Sequence, residues 1–140
     1  MTPFIAKLIE RGCVTTHANC PLDDLIVILA KRRIGTVVVV DRDQQVIGIV
    51  SERDIIRHLS TGGTTADTFA KNIMTNKVIT VENNVTSAQL MKLITEHHIR
   101  HVPITRNSKL VGIVSIGDVV KRLLEKYEQE AELIKQFINS

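Results

Sequence analysis

The chain has no Trp, one Tyr and three Phe among its 140 residues, so its core has to be built from aliphatic side chains. At 3% aromatic it also lacks the stacking platforms on which single-stranded nucleic acid is held. Charge of one sign is not concentrated anywhere. The 18 basic and 15 acidic residues are mixed along the chain without a block of like charges, and a net charge of +3 makes no basic face. Nucleic acid is therefore not an expected partner. Cys13 and Cys20 are the only cysteines; their spacing fits no zinc motif, and two thiols cannot frame a disulfide-rich domain. They read as small buried hydrophobes. Long apolar runs are missing too: the longest uncharged one is Leu25 to Ala30, and Lys7, Glu10 and Arg11 interrupt the N-terminal stretch. Neither a signal peptide nor a membrane span is expected, and the expected location is the cytoplasm.

What is present is a repeat. Displacing the chain by 65 positions sets Phe4 on Phe69, Thr15 on Thr80, Leu25 on Leu90, Leu29 on Ile94 and Ile34 on Ile99. After a one-residue contraction in a loop the displacement becomes 64. Gly48, Ile49, Val50, Ser51, Asp54 and Leu59 then fall on Gly112, Ile113, Val114, Ser115, Asp118 and Leu123, six identities over positions 48 to 59.

Each copy has one grammar. A short extended piece (Cys13 to Thr16; Val78 to Val81) leads through a polar turn into a helix whose apolar residues, Leu22, Leu25, Ile26, Leu29 and Ala30 in the first copy, and Leu90, Leu93 and Ile94 in the second, have helical spacing. Pro21 suits the first helix start. Val37 to Val40 is a β-branched run joined as a hairpin to Val46–Val50, and Val102 to Thr105 is joined likewise to Leu110–Val114. Helices follow from Ser51 and Ser115. The unit is β-α-β-β-α, preceded by lead-in helices around Phe4 to Ile9 and Phe69 to Met74. Such a unit buries little surface alone, so two should share a core. The expected class is α/β (α+β), with small mixed sheets flanked by helices: a first unit with its lead-in helix at 1–62, a second at 63–125 and a C-terminal helix extension at 126–140. Along that last helix Val120, Leu124, Tyr127, Ala131, Ile134 and Ile138 form a heptad-like stripe, which either packs on its own domain or makes a homodimer contact.

The shared ending, Gly-Ile-Val-Ser-x-x-Asp, has two readings. Ser with an acid three residues on, ahead of an apolar helical run, is a capping box. Yet a capping box prefers Glu or Gln to the shorter Asp, the glycine permits another group to approach the strand, and a helix start offers free N–H groups and a positive dipole end. A hydroxyl, a carboxylate and a helix N-terminus together suit a ribose phosphate, with the acid accepting from ribose hydroxyls.

The repeated unit, the hairpin entry Ile99-Arg100-His101-Val102-Pro103 and the Gly-x-x-Ser-x-x-Asp ending together resemble a CBS domain pair, or Bateman module, over nearly the whole chain. The resemblance implies pseudo-twofold packing, paired clefts between units and an adenosyl ligand: AMP, ADP or ATP, with S-adenosylmethionine or NAD as further members of the class. It places ribose acids at Asp54 and Asp118 with Ser51 and Ser115 as hydroxyl partners. The adenine would lie against Val78 and Ile79 in the Asp54 cleft and against Val14 and Thr15 in the Asp118 cleft. Phosphates would meet the hairpin entries, where the copies differ: Arg100 and His101 in the second, with Val102 and Pro103 following, but only Gly35 and Thr36 in the first. Arg53 is a further phosphate contact or a surface residue, and His97 and His98 read as helix-end residues. A phosphorylated ligand is thus expected to prefer the cleft of Asp54 and Arg100.

No nucleophile–base pairing or metal-ligand cluster is suggested, so catalysis is not expected. The expected role is a regulatory sensor acting on a separate protein partner, since the repeat and its flanking helices use all 140 residues. The rival reading is a ligand-free interaction module in which both capping boxes are only structural.

Overall fold

The computed structural model describes residues 1–140. Two three-stranded sheets form, each around a buried middle strand. In the first, β1 (Thr15–Thr16) runs parallel to β2 (Thr36–Val40), which pairs antiparallel with β3 (Val46–Ser51). In the second, β4 (Val81–Glu82), β5 (His101–Arg106) and β6 (Lys109–Ser115) repeat that order. Every residue of β2 is buried, as its unbroken β-branched run requires of a strand covered on both faces. The register irregularity of the first hairpin, at Val39/Val40, recurs in the second at Ile104/Thr105, 65 residues on.

The one-residue contraction between copies lies in the hairpin turns. The first spans Asp41 to Gln45, where Asp41 Oδ1 accepts from the Asp43 and Gln45 backbone N–H groups at 2.9 and 3.0 Å. In the second, Asn107 and Ser108 both take positive φ, 52° and 66°, which makes the two-residue turn that twisted antiparallel strands favour.

The helices are α1 (Pro3–Arg11), α2 (Leu22–Arg32), α3 (Glu52–Ser60), α4 (Ala70–Ile73), α5 (Ser87–His97) and α6 (Ile116–Asn139). Pro21 caps α2 from an extended conformation, and Thr86 with Gln89 closes a capping box at α5. The two lead-in helices exchange places. Ile5 and Leu8 of α1 are buried with Leu90, Ile94, Val102, Ile104, Val114 and Val119 in the second core, whereas Ala70 of α4 joins Leu22, Leu25, Val37, Val39 and Val50 in the first. Backbone bonds fix the second exchange: Leu22 N donates to Thr68 O at 2.8 Å, and Ala70 N to Cys20 O at 2.9 Å. The first copy thus precedes its neighbour in sequence but lends it a helix in space.

The glycines of the repeated string are explained by that exchange. The Met74 thioether occupies the place where a Cβ on Gly48 would stand, and Leu8 O and Ile9 Cα lie 3.4 Å from where a Cβ on Gly112 would stand. What approaches each glycine is a lead-in segment.

Packing on its own domain does not account for the apolar stripe of α6. Val119 is buried, but Val120 and Leu124 are exposed, Tyr127 is 71% exposed, and Ile134 and Ile138 are exposed beyond it. No helix of the structure is long and apolar enough to cross a membrane.

Candidate functional site

The end of β3 sets the first site. Ser51 stays extended, with φ −110° and ψ 164°, and caps α3: its Oγ accepts from Asp54 N at 3.3 Å, and Asp54 Oδ2 accepts from Ser51 N at 2.8 Å and Ser51 Oγ at 3.1 Å. Ser115 caps α6 in the same way, with 2.8 Å from its N–H to Asp118 Oδ2 and 3.1 Å from Asp118 N to its Oγ. The capping boxes are therefore complete in both copies, using Asp where Glu is usual. In each, the cap engages Oδ2 and leaves Oδ1 to other partners.

What that second oxygen meets differs between copies. Asp54 Oδ1 has only Arg57 Nη1, at 3.5 Å on the same helix. Asp118 is clasped by Arg11 from the end of α1, with Nη1 on Oδ1 at 3.0 Å and Nη2 on Oδ2 at 2.9 Å, while Nη2 also donates to Ile113 O at 3.0 Å. Burial pushes the Asp118 carboxyl up, but the Arg11 hydrogen bonds and those from Ser115 more than reverse this and hold it below its ordinary value. The same pairing raises Arg11.

Two clefts open between the units. The first, about 300 Å³, brings Ser51, Arg53 and Asp54 of one unit to Arg100 and His101 of the other, with Gly35 and Thr36 on its wall. The second, about 590 Å³, brings Ser115 and Asp118 to Val14, Gly35 and Thr36, with His101 shared between the clefts. Both fall in the size range of small-ligand sites, which runs from roughly 300 to 1,000 Å³. The pseudo-twofold relation runs between them: Thr36 Oγ1 and His101 Nδ1, equivalent positions of the two copies, lie 3.2 Å apart. Burial lowers the His101 pKa, Asp118 acts in the opposite sense, and Arg100 adds to the lowering.

Several expected positions lie elsewhere. Thr15 lines a separate cavity with Thr16 and Arg42, while its neighbour Val14 lines the Asp118 cleft. Val78 and Ile79 line neither cleft; the chain there runs outside a strand, and pairing starts only at Val81. Val102 is wholly buried in the second core, and Pro103 is buried opposite Ile113, so neither side chain lines a cleft. The Asp118 cleft is also richer in cations than its hairpin entry implies, since Arg11 and Arg32 line it. Arg32 aligns with His97 and Arg11 with Asn76, so a comparison of the copies for charge differences could have drawn attention to both. Cys13 lines the same cleft, and burial pushes its thiol up to about 11, which keeps it protonated and a poor nucleophile. His98 caps α5 in the left-handed conformation and borders the Asp54 cleft.

Comparison with known proteins places this architecture. A protein-family model described as the CBS domain matches twice, at residues 5–61 and 70–125. The mitochondrial CBS domain-containing protein CBSX3 of Arabidopsis thaliana is 32% identical over 120 residues, 82% of this chain, and the match spans 58% of that protein's length. Among solved structures, a CBS-domain-containing protein of Agrobacterium tumefaciens is 36% identical with a TM-score of 0.75, over 83% of this chain and 95% of that one. A CBS domain protein of Pyrobaculum aerophilum complexed with AMP is 32% identical with a TM-score of 0.74, over 81% of this chain and 88% of that one. The units do not share the one core expected of them but keep two, joined by the exchanged lead-in helices. Two matched halves, an internal repeat and that exchange lead to one conclusion: the chain belongs to the CBS domain family and is a CBS domain pair.

Proposed function

We propose that the chain is a non-catalytic regulatory module that binds an adenosyl nucleotide, AMP, ADP or ATP, first in the Asp54 cleft. The observation that carries this reading is Asp54, whose Oδ1 has only Arg57 at 3.5 Å and whose side chain borders a cleft lined by Arg53 and Arg100. A carboxylate with free acceptor capacity suits the two ribose hydroxyls, and the guanidinium groups suit a phosphate. The AMP carried by the Pyrobaculum aerophilum relative supports the ligand class. S-adenosylmethionine and NAD present the same adenosyl group and are the alternatives within it.

Because each cleft is built from both units, a bound nucleotide bridges them. Its effect on a separate protein partner then runs through their relative angle or through α6, whose exposed Tyr127, Leu133, Ile134, Phe137 and Ile138 suit a homodimer contact. Small-angle scattering with and without saturating AMP tests that step, and superimposable profiles count against it.

One observation favours a second reading. Both Ser–Asp pairs form complete capping boxes, so each is accounted for without a ligand. Thermal unfolding separates the readings. A ligand at about 100 times its Kd stabilises the native state by roughly 2.7 kcal/mol, whereas a purely structural module responds to no adenosyl compound.

A further inference from the structure

The two clefts differ most in what holds the acid. Asp118 is held by an arginine from α1: Arg11 takes a lone pair on each oxygen, at 3.0 and 2.9 Å, and Ser115 N–H takes a further one on Oδ2. A ribose diol arriving there competes with a bidentate guanidinium, whereas at Asp54 it competes only with Arg57, a single contact at 3.5 Å. Arg11 is nonetheless a movable group. Its side chain is 51% exposed, it sits at the last residue of α1 just before Gly12 at φ 80°, and it borders the cleft it closes. The equivalent position in the second copy is Asn76, which makes no such contact, so the device exists in one cleft only.

We propose that Arg11 is a latch and a specificity determinant of the Asp118 cleft: it closes the site against neutral adenosyl compounds and yields to a ligand whose phosphate can take over its guanidinium. The exchange conserves pairing. As ribose hydroxyls replace Arg11 on Asp118, the freed fork needs an anionic partner that presents two oxygens, and a 5′-phosphate in the same cleft supplies one. A ligand without a phosphate must leave Arg11 unpaired beside Arg32 and gains less. This rests on the reading of the clefts as adenosyl sites and assigns to one of them a charge requirement the other lacks.

Calorimetric titration of AMP and of adenosine into the full chain, with the Asp54 cleft disabled by Asp54→Asn, tests it. With Arg11 present, AMP is expected to bind at least about tenfold more tightly than adenosine; Arg11→Ala should tighten adenosine, weaken AMP and shrink that ratio at least about tenfold. Arg11→Lys keeps the charge but loses the fork, so it should tighten adenosine while retaining most of the AMP affinity, and it carries the test if the alanine form is poorly folded. An unchanged ratio in Arg11→Ala, with AMP still bound, overturns the latch and leaves the nucleotide reading standing. AMP bound by the unsubstituted chain but by no Asp54→Asn form also overturns the latch alone. No binding of either ligand to any form, the unsubstituted chain included, removes both.

Discussion

Thr36 Oγ1 and His101 Nδ1 meet at 3.2 Å, although they are 65 residues apart and occupy the same position in successive copies. Only a near-twofold arrangement brings a position against its own duplicate, and both clefts include both residues. The contact therefore lies where a ligand in either cleft would be felt by the other.

The half-buried imidazole gives this contact a pH signature. His101 titrates below its ordinary value of 6.5, first through burial and further through Arg100, against the opposing charge of Asp118. Its unfolded form takes up a proton near 6.5, while the folded form does so only at lower pH. Stability is then fully present above 6.5 and falls as pH drops below it. Urea unfolding between about pH 5 and 7.5 should show this slope, and His101→Gln should flatten it. A slope unchanged in the variant would assign the effect to other groups.

The Arg11–Asp118 pair has the opposite origin but the same direction. Asp118 is held below its ordinary 3.8, so its contribution is present above that value and disappears as pH falls through the lower folded value. NMR titration of the side-chain carboxyl should show it moving up toward the ordinary value in Arg11→Ala. The stability change should be small, about 1 kcal/mol or less, because Arg11 is 51% exposed and water screens the pair.

Gly48 and Gly112 occupy the same place in the repeat yet should respond differently to substitution. A Cβ at 48 collides with the Met74 side chain, whereas at 112 it meets the backbone of α1 at 3.4 Å, an ordinary contact. Gly48→Ala is expected to cost about 1–3 kcal/mol by overpacking. Gly112→Ala should cost less. Combining Gly48→Ala with Met74→Ala should show a favourable coupling in a double-mutant cycle, and strict additivity would mean that the contact at Gly48 is not the cause.

The exchange of lead-in helices makes its own prediction. Ile5 is fully buried against the second sheet. Ile5→Ala should cost about 2–5 kcal/mol. Its effect on hydrogen exchange should fall first on β5 and β6, far along the chain, and weakly on β2. Loss of protection confined to β1–β3 would contradict the packing.

Sequence periodicity revealed the parts of the fold that are local. The β-branched run of β2, the helical stripes of α2 and α5 and the Ser-x-x-Asp caps are all set within a few residues, and each forms where its pattern places it. The lead-in exchange is not local. No spacing within residues 3–11 tells which core Ile5 and Leu8 will enter, and the Arg11–Asp118 pair, 107 residues apart in sequence, depends on that choice. The same limit explains Val78, Ile79 and Thr15: their apolar or extended character was legible, but the wall they face depends on how β1 and β4, two residues each, align with their neighbours. Val102 stands beside the polar residues of the hairpin entry, but as a β-branched residue of a middle strand its side chain goes into the core.

Asp54 separates a cap from a ribose clamp, because the two roles depend on different properties of its carboxylate. Asp54→Asn keeps an acceptor for Ser51 N–H and so most of the cap, whose complete loss costs about 0.5–2 kcal/mol. It removes the negative charge that strengthens hydrogen bonds from ribose hydroxyls, contacts that contribute roughly 1.5–3 kcal/mol each. Calorimetric titration of AMP into the unsubstituted chain and into Asp54→Asn is therefore the most direct measurement. A binding isotherm for the first and an affinity at least about tenfold weaker at the Asp54 cleft of the second, with the melting temperature little changed, is the predicted result. Equal affinity in the two forms, or no heat from AMP, ADP, ATP, S-adenosylmethionine or NAD in either, would contradict it.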